Sequence, residues 1–103
     1  KLLDVGGDLF AVMDTAAMVA LRSGDTAQAE VWMEKALSLL DEEDYAALEV
    51  RLNAAEVQLR SGDVEAARRT LGELRSEPGR SNYIDQRARL LLRDIDMMPA
   101  ARP

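Results

Sequence analysis

The sequence has 103 residues, of which 48% are hydrophobic but only 4% aromatic, and its formal net charge is −6. With no Cys and no His, it lacks the thiolates and imidazoles that serve metal binding, disulfides, nucleophilic attack and most general-base catalysis. The acid excess lies in residues 1–50, with three basic and eleven acidic side chains against ten and eight in residues 51–103, so the first half repels nucleic acid.

This length suits one domain at most. The chain opens on Lys1 rather than Met and closes on Pro103, as expected of a segment of a longer protein. Ala and Leu, strong helix formers, fill the aromatic deficit. The longest uncharged stretch in the Leu-rich and Ala-rich parts is Thr15 to Leu21. That falls far short of the roughly 20 apolar residues of a membrane helix, so no membrane insertion is expected.

Near the start, Gly6-Gly7 has neither a preceding strand nor a following Lys-Ser or Lys-Thr, and reads as an irregular helix start rather than a phosphate loop. The first helix is predicted over about residues 8–22, with Val12, Ala16 and Val19 along one stripe. Leu-Arg-Ser-Gly-Asp follows at Leu21 to Asp25. Gly24 supplies the positive φ that ends a helix, and Asp25 caps the next, with Gln28 placed to complete a capping box. The second helix is predicted over about 26–40. Its Trp32, beside Val31 and Met33, is expected to be partly buried.

The acidic run Asp41-Glu42-Glu43-Asp44 lacks the ligand alternation and central Gly of a calcium loop. At the start of a third helix, predicted over about 43–60, these charges complement the helix dipole. The same five residues, Leu-Arg-Ser-Gly-Asp, then recur at Leu59 to Asp63, 38 positions after their first occurrence. Residues 12–36 and 50–74 are identical at ten of 25 positions, Val12 pairing with Val50, Ala16 with Ala54, Ala17 with Ala55, Val19 with Val57 and Ala29 with Ala67. The chain contains an internal repeat. The six Ala residues 16, 17, 29, 54, 55 and 67 are read as helix-crossing positions within each hairpin, and Met33 and Leu71 as filling the space toward the next one.

A fourth helix is predicted over about 64–76, ended by Glu77-Pro78-Gly79-Arg80-Ser81. Ser81 or Asn82 caps a fifth over about 82–97, whose stripe is Ile84, Ala88, Leu91 and Ile95.

This order of small residue, turn Gly, Ala five residues on and a large apolar residue four beyond resembles the tetratricopeptide repeat. Taking Gly24 and Gly62 as its turn glycines, the family's small positions fall on Ala17 and Ala55, its Ala on Ala29 and Ala67, its large residue on Met33 and Leu71, and its next small residue on Ala36. The family's Trp position holds Met13 and Arg51, its Tyr position Ala20 and Gln58, and its closing Pro is Asp41. The resemblance implies an all-α fold of antiparallel helix-turn-helix repeats forming a short right-handed α-solenoid. The whole of 1–103 is read as one domain, with repeat one at about 8–41, repeat two at about 43–77, and a fifth helix or cap at about 81–97.

The implied function is a protein-protein interaction scaffold that docks a peptide or helix of a partner, with no enzymatic activity and no cofactor. In the family, ligands contact the inner face of the first helices, which places Asp14, Met18, Glu49, Asn53, Glu56, Arg60, Arg87 and Leu90 in the binding surface. Asp14, Glu49 and Glu56 are expected to steer a basic segment into the groove, with Asn53 bonding the ligand backbone. The carboxylate-clamp subtype is matched at Asn53 and Arg87 but not at Asp14, Met18 or Tyr83, so chaperone tails are not implied. The alternative is a structural module whose open repeat end packs on a neighbouring domain or forms a homodimer. Eleven Arg to two Lys, with abundant Ala, suggests a bacterial protein.

Overall fold

The computed structural model describes residues 9–40 and 47–98. These hold five helices: α1 (Leu9–Arg22), α2 (Thr26–Leu39), α3 (Ala47–Arg60), α4 (Val64–Arg75) and α5 (Asn82–Asp96). Among the described residues there is no strand. The predicted bounds agree to within a residue or so. Residues 43–46, over which the third helix is expected to begin, lie outside the described residues, as do Gly6-Gly7 and the run Asp41 to Asp44.

Both Leu-Arg-Ser-Gly-Asp segments fold alike. Gly24 and Gly62 take φ of +89° and +98°. The Gly24 amide donates to the Leu21 carbonyl at 3.1 Å and the Asp25 amide to the Ala20 carbonyl at 2.9 Å; Gly62 and Asp63 do the same to Leu59 and Gln58 at 3.1 and 2.9 Å. These paired bonds form a Schellman motif, which satisfies carbonyls the helix end leaves open. Each Asp carboxylate then accepts an amide of the next helix, Gln28 N–H at 3.1 Å for Asp25 and Ala66 N–H at 3.3 Å for Asp63. The expected capping box with Gln28 is corrected here, because the Asp25 amide it would serve is already given to Ala20. Of the two proposed caps for α5, Ser81 acts, its Oγ accepting from the Ile84 amide at 3.2 Å.

Helices α1 with α2 and α3 with α4 form antiparallel pairs, and α5 follows on α4. The first helices α1, α3 and α5 also touch in succession, so they form one layer with α2 and α4 behind. Two apolar clusters hold the layers together. Ala17, Ala29, Met33, Ala36, Val50, Ala54 and Val57 make one, and Leu52, Ala55, Leu59, Ala67, Leu71, Leu74, Ile84, Ala88, Leu91 and Ile95 make the other. Helix α3 is buried on two faces because it serves both, Val50, Ala54 and Val57 toward α2 and Leu52, Ala55 and Leu59 toward α4. Leu52, Leu71 and Leu74 are the largest fully buried side chains, each worth about 1.5–3 kcal/mol of apolar burial.

The crossing role assigned to all six Ala residues needs correction at two of them. Ala17, Ala29, Ala55 and Ala67 are fully buried in their clusters. Ala54 instead belongs with the preceding hairpin's Ala29, Met33 and Ala36. Ala16, its repeat equivalent, is only half-buried. Trp32 is half-buried against the first cluster, with the Lys35 ammonium 6.0 Å from its ring centroid.

Candidate partner-binding face

The layer of α1, α3 and α5 brings together most of the residues read as binding positions. At its centre Asn53 is only 8% exposed, the one buried polar residue among those described. Its Nδ2 donates to both Asp14 carboxylate oxygens, at 3.2 and 3.1 Å. Its Oδ1 accepts from Arg87 Nη1 at 3.0 Å. A donor group facing a carboxylate and an acceptor facing a guanidinium fix the amide's orientation without ambiguity. Arg87 Nη1 also donates to Tyr83 Oη at 3.1 Å, and Nη2 to Glu56 Oε1 at 2.7 Å. The guanidinium carbon lies 5.7 Å from the Tyr83 ring centroid, within cation–π range. One polar chain thus crosses all three helices of the layer, from Asp14 on α1 through Asn53 on α3 to Arg87 on α5.

Glu56 is the second node. Besides Arg87, its Oε2 lies 3.9 Å from both Arg22 and Arg60, and Arg60 is 3.9 Å from Asp94. The short bond to Arg87 is the strong one. The two longer pairs involve exposed arginines and contribute little on their own.

This geometry changes two expectations. Asn53 spends both its donor and its acceptor on protein partners and fastens the helices together. The Glu56 carboxylate points into a cluster of guanidiniums, so its charge is compensated within the layer. Asp14 and Glu49 remain as the acidic positions, the first half-buried and the second exposed. Burial raises the Asp14 carboxyl above the ordinary range; the Asn53 hydrogen bond opposes this, the nearby Glu49 charge adds to it, and Arg87 opposes it.

Met18 is half-buried and packs on the first apolar cluster. Leu90 is exposed on α5 and borders a shallow groove with Asn82, Gln86, Arg89 and Arg93. Sequence reasoning missed Arg22, Tyr83 and Asp94 as members of this network. Arg22 was findable, since it is the repeat equivalent of Arg60. Tyr83 lies one turn before Arg87, a spacing that places them on one helix face.

Charge is sorted along the layer. Because α1 and α3 are the first helices of successive antiparallel pairs, they run the same way. Asp14 precedes Arg22 on α1, and Glu49 precedes Arg60 on α3. The face therefore has Asp14 and Glu49 at one end and, at the other, Arg22 and Arg60, which Glu56 and Asp94 offset only in part. No described helix is long and apolar enough to cross a membrane.

No curated protein and no solved structure matches the chain. Residues 20–91 match the tetratricopeptide repeat. That span runs from the end of α1 through the buried Leu91 of α5 and contains both Schellman turns, both apolar clusters' central residues and the Asn53–Arg87 bond, and on this ground the chain belongs to the tetratricopeptide-repeat family.

Proposed function

We propose that this tetratricopeptide-repeat domain docks an extended segment or a helix of a partner protein on the layer formed by α1, α3 and α5. Repeats of this family are in general protein-protein interaction modules. The observation that carries the reading here is the sorted charge on a pre-fastened surface. Asn53 and Arg87 tie three helices together, so little conformational freedom is lost when a ligand lands. Asp14 and Glu49 at one end, and Arg22 and Arg60 at the other, give that ligand a direction. Its basic residues lie at the Asp14 end. Exposed Tyr83 and Leu90 offer apolar contacts on α5.

The experiment is a selection from a displayed peptide library against the folded chain, followed by titration of the recovered peptides by calorimetry. Glu49→Lys weakens these peptides and Val19→Glu, at the edge of α1, does not. Peptides enriched in basic residues toward one end support the direction assigned. If Val19→Glu abolishes binding while Glu49→Lys leaves it intact, the surface in use is the edge of the array and this reading fails.

A further inference from the structure

The repeat equivalence singles out a face of α1 that is exposed where its counterparts on α3 and α5 are buried. On α3, Val50 and Val57 are 3% and 2% exposed because they pack with Ala54 on the Ala29, Met33 and Ala36 stripe of α2. On α5, the residues 34 positions later, Ile84, Ala88 and Leu91, are likewise buried with Ala67, Leu71 and Leu74 of α4. On α1, the residues 38 positions earlier are the same three types as on α3, Val12, Ala16 and Val19. Yet Val12 is 54% and Val19 63% exposed. Ala11, Val12, Thr15 and Ala16 line a shallow apolar groove there.

The opposite end of the array is built differently. The α3 face that receives α4 consists of buried Leu52, Ala55 and Leu59. Its counterparts on α5, 34 positions later, are Gln86, Arg89 and Arg93, all exposed. That face is solvated by charge, whereas the α1 face keeps the apolar residues of a packed one. Exposed valines at positions that are buried in the next repeat cost solvation without return unless something covers them.

We propose that Val12, Ala16 and Val19 receive the second helix of a further helical hairpin, lying ahead of α1 in the same polypeptide. The chemistry of that helix follows from the two helices that fill the equivalent faces. It presents a stripe at i, i+4 and i+7 with a small residue first and a large flexible or branched one in the middle, as in Ala29–Met33–Ala36 and Ala67–Leu71–Leu74. A second copy of this chain is not the occupant. Both helices with such a stripe, α2 and α4, already bury it in their own chain, so a copy has none to offer. Two α1 faces pressed together would set valine against valine without the large residue that fills the space. The surface is distinct from the partner-binding layer, and its test is independent of that reading.

Two experiments test the proposal. In the first, residues 1–49 are joined directly to residues 12–103, which puts Val12 of the second part where Val50 normally follows α2. The extended chain unfolds in urea in one transition at a higher midpoint than the 103-residue chain. Val19→Glu at the new junction removes the gain, and the same change in the 103-residue chain leaves the midpoint unchanged. A separate, lower transition for the added hairpin, or no effect at the junction, overturns the proposal. In the second, amide exchange is measured on the complete polypeptide as it is naturally encoded. The α1 amides exchange at least ~10-fold more slowly than in the 103-residue chain, because packing raises local opening free energy. Equal exchange in the two overturns it. So does a concentration-dependent dimer of the 103-residue chain that Val19→Glu dissociates, since a second copy would then hold the face.

Discussion

Arg87 on α5 reaches back 34 residues to donate a 3.0 Å hydrogen bond to the side-chain carbonyl of the buried Asn53 on α3. The same guanidinium holds Glu56 at 2.7 Å and Tyr83 at 3.1 Å. Its planar fork lets one side chain serve three acceptors, which an ammonium cannot match in geometry. Arg87→Lys is therefore expected to destabilise the domain by about 1 kcal/mol, the net worth of a hydrogen bond lost from such a network. Asn53→Leu should cost more, about 1–3 kcal/mol, because it leaves half-buried groups of Asp14 and Arg87 without their partner. Urea unfolding followed by circular dichroism measures both. Equal midpoints for wild type and Asn53→Leu would show that the chain across the repeats contributes no stability.

The glycines separate backbone conformation from packing. A Cβ at Gly24, Gly62 or Gly72 would meet no atom within 4 Å, so space is not at issue at any of them. Gly24 and Gly62 have positive φ, where a β-branched residue is strained. Gly24→Val and Gly62→Val should each lower stability by more than ~1 kcal/mol. Gly72 lies inside α4 with no such demand. Gly72→Ala should raise stability by roughly 0.5–1 kcal/mol through helix propensity. The opposite signs are the test, read from urea midpoints of the three variants.

The fold was legible wherever local chemistry decided it. Leu-Arg-Ser-Gly-Asp, repeated, marks two helix ends and two helix starts, because positive φ and an Asp cap depend on residues close in sequence. The buried positions of α2 to α5 largely followed from small and large residues at helical spacing, whereas Val12, Ala16 and Val19 share that spacing and are not buried. The change of repeat length did not show in the self-comparison. Helix α4 has 12 residues against 14 in α2, and Ile84 follows the end of α4 two residues sooner than Val50 follows the end of α2, so the face of Val50, Ala54 and Val57 recurs after 34 residues rather than 38. The candidate surface was legible in position only. Asn53 and Glu56 do lie on the layer of first helices, but their partners are 31 to 39 residues away in sequence. Which guanidinium reaches which oxygen depends on helix spacing and rotamer, and no periodicity encodes those. That Asn53 is buried, and so finds its first partners within the protein, was not visible in the sequence either.

Two aspartates pull the acid side of the stability curve in opposite directions. Hydrogen bonds and charge from Arg80 and Arg75 hold the Asp85 carboxyl below the ordinary range, and Arg80 Nε donates to it at 2.9 Å. Its contribution is complete above the unfolded value of about 3.9 and is lost as pH falls through the lower folded value. Asp14 is raised by burial, so the folded state binds its proton more readily than the unfolded one does. Its penalty is fully present above the raised folded value and relaxes as pH falls from there toward about 3.9. Asp85→Asn should therefore reduce the loss of stability at low pH. Asp14→Asn should make the curve fall more steeply on acidification, by removing the group that gains. Urea midpoints at intervals between pH 3 and 7 distinguish the two. Parallel curves for wild type and both variants would contradict these assignments.

Glu49 and Glu56 carry the same charge on the same helix, yet reversing each should have different consequences. Glu49 is exposed at the carboxylate end of the layer. Glu56 is half-buried between Arg22, Arg60 and Arg87. Glu49→Lys should alter folding by less than ~0.5 kcal/mol, as exposed substitutions usually do. Glu56→Lys replaces the carboxylate beside three guanidiniums, one of them hydrogen-bonded to it, by a fourth cation. It should destabilise by more than ~2 kcal/mol, since a half-buried charge is left facing like charges. Binding should separate them the other way. A basic peptide approaching the Asp14–Glu49 end feels the Glu49 charge directly, so Glu49→Lys should slow association, and rising salt should weaken the wild-type interaction within the ~8–10 Å screening length. The compensated Glu56 charge steers little, and a basic peptide should lose affinity on Glu56→Gln only as far as the layer itself loosens. Stopped-flow association at two salt concentrations, set beside urea unfolding of the same variants, reads both quantities. If Glu49→Lys associates as fast as wild type while Glu56→Gln is the slow variant, the charge that directs the ligand sits at Glu56, and the layer is less neutral at its centre than its hydrogen bonds indicate.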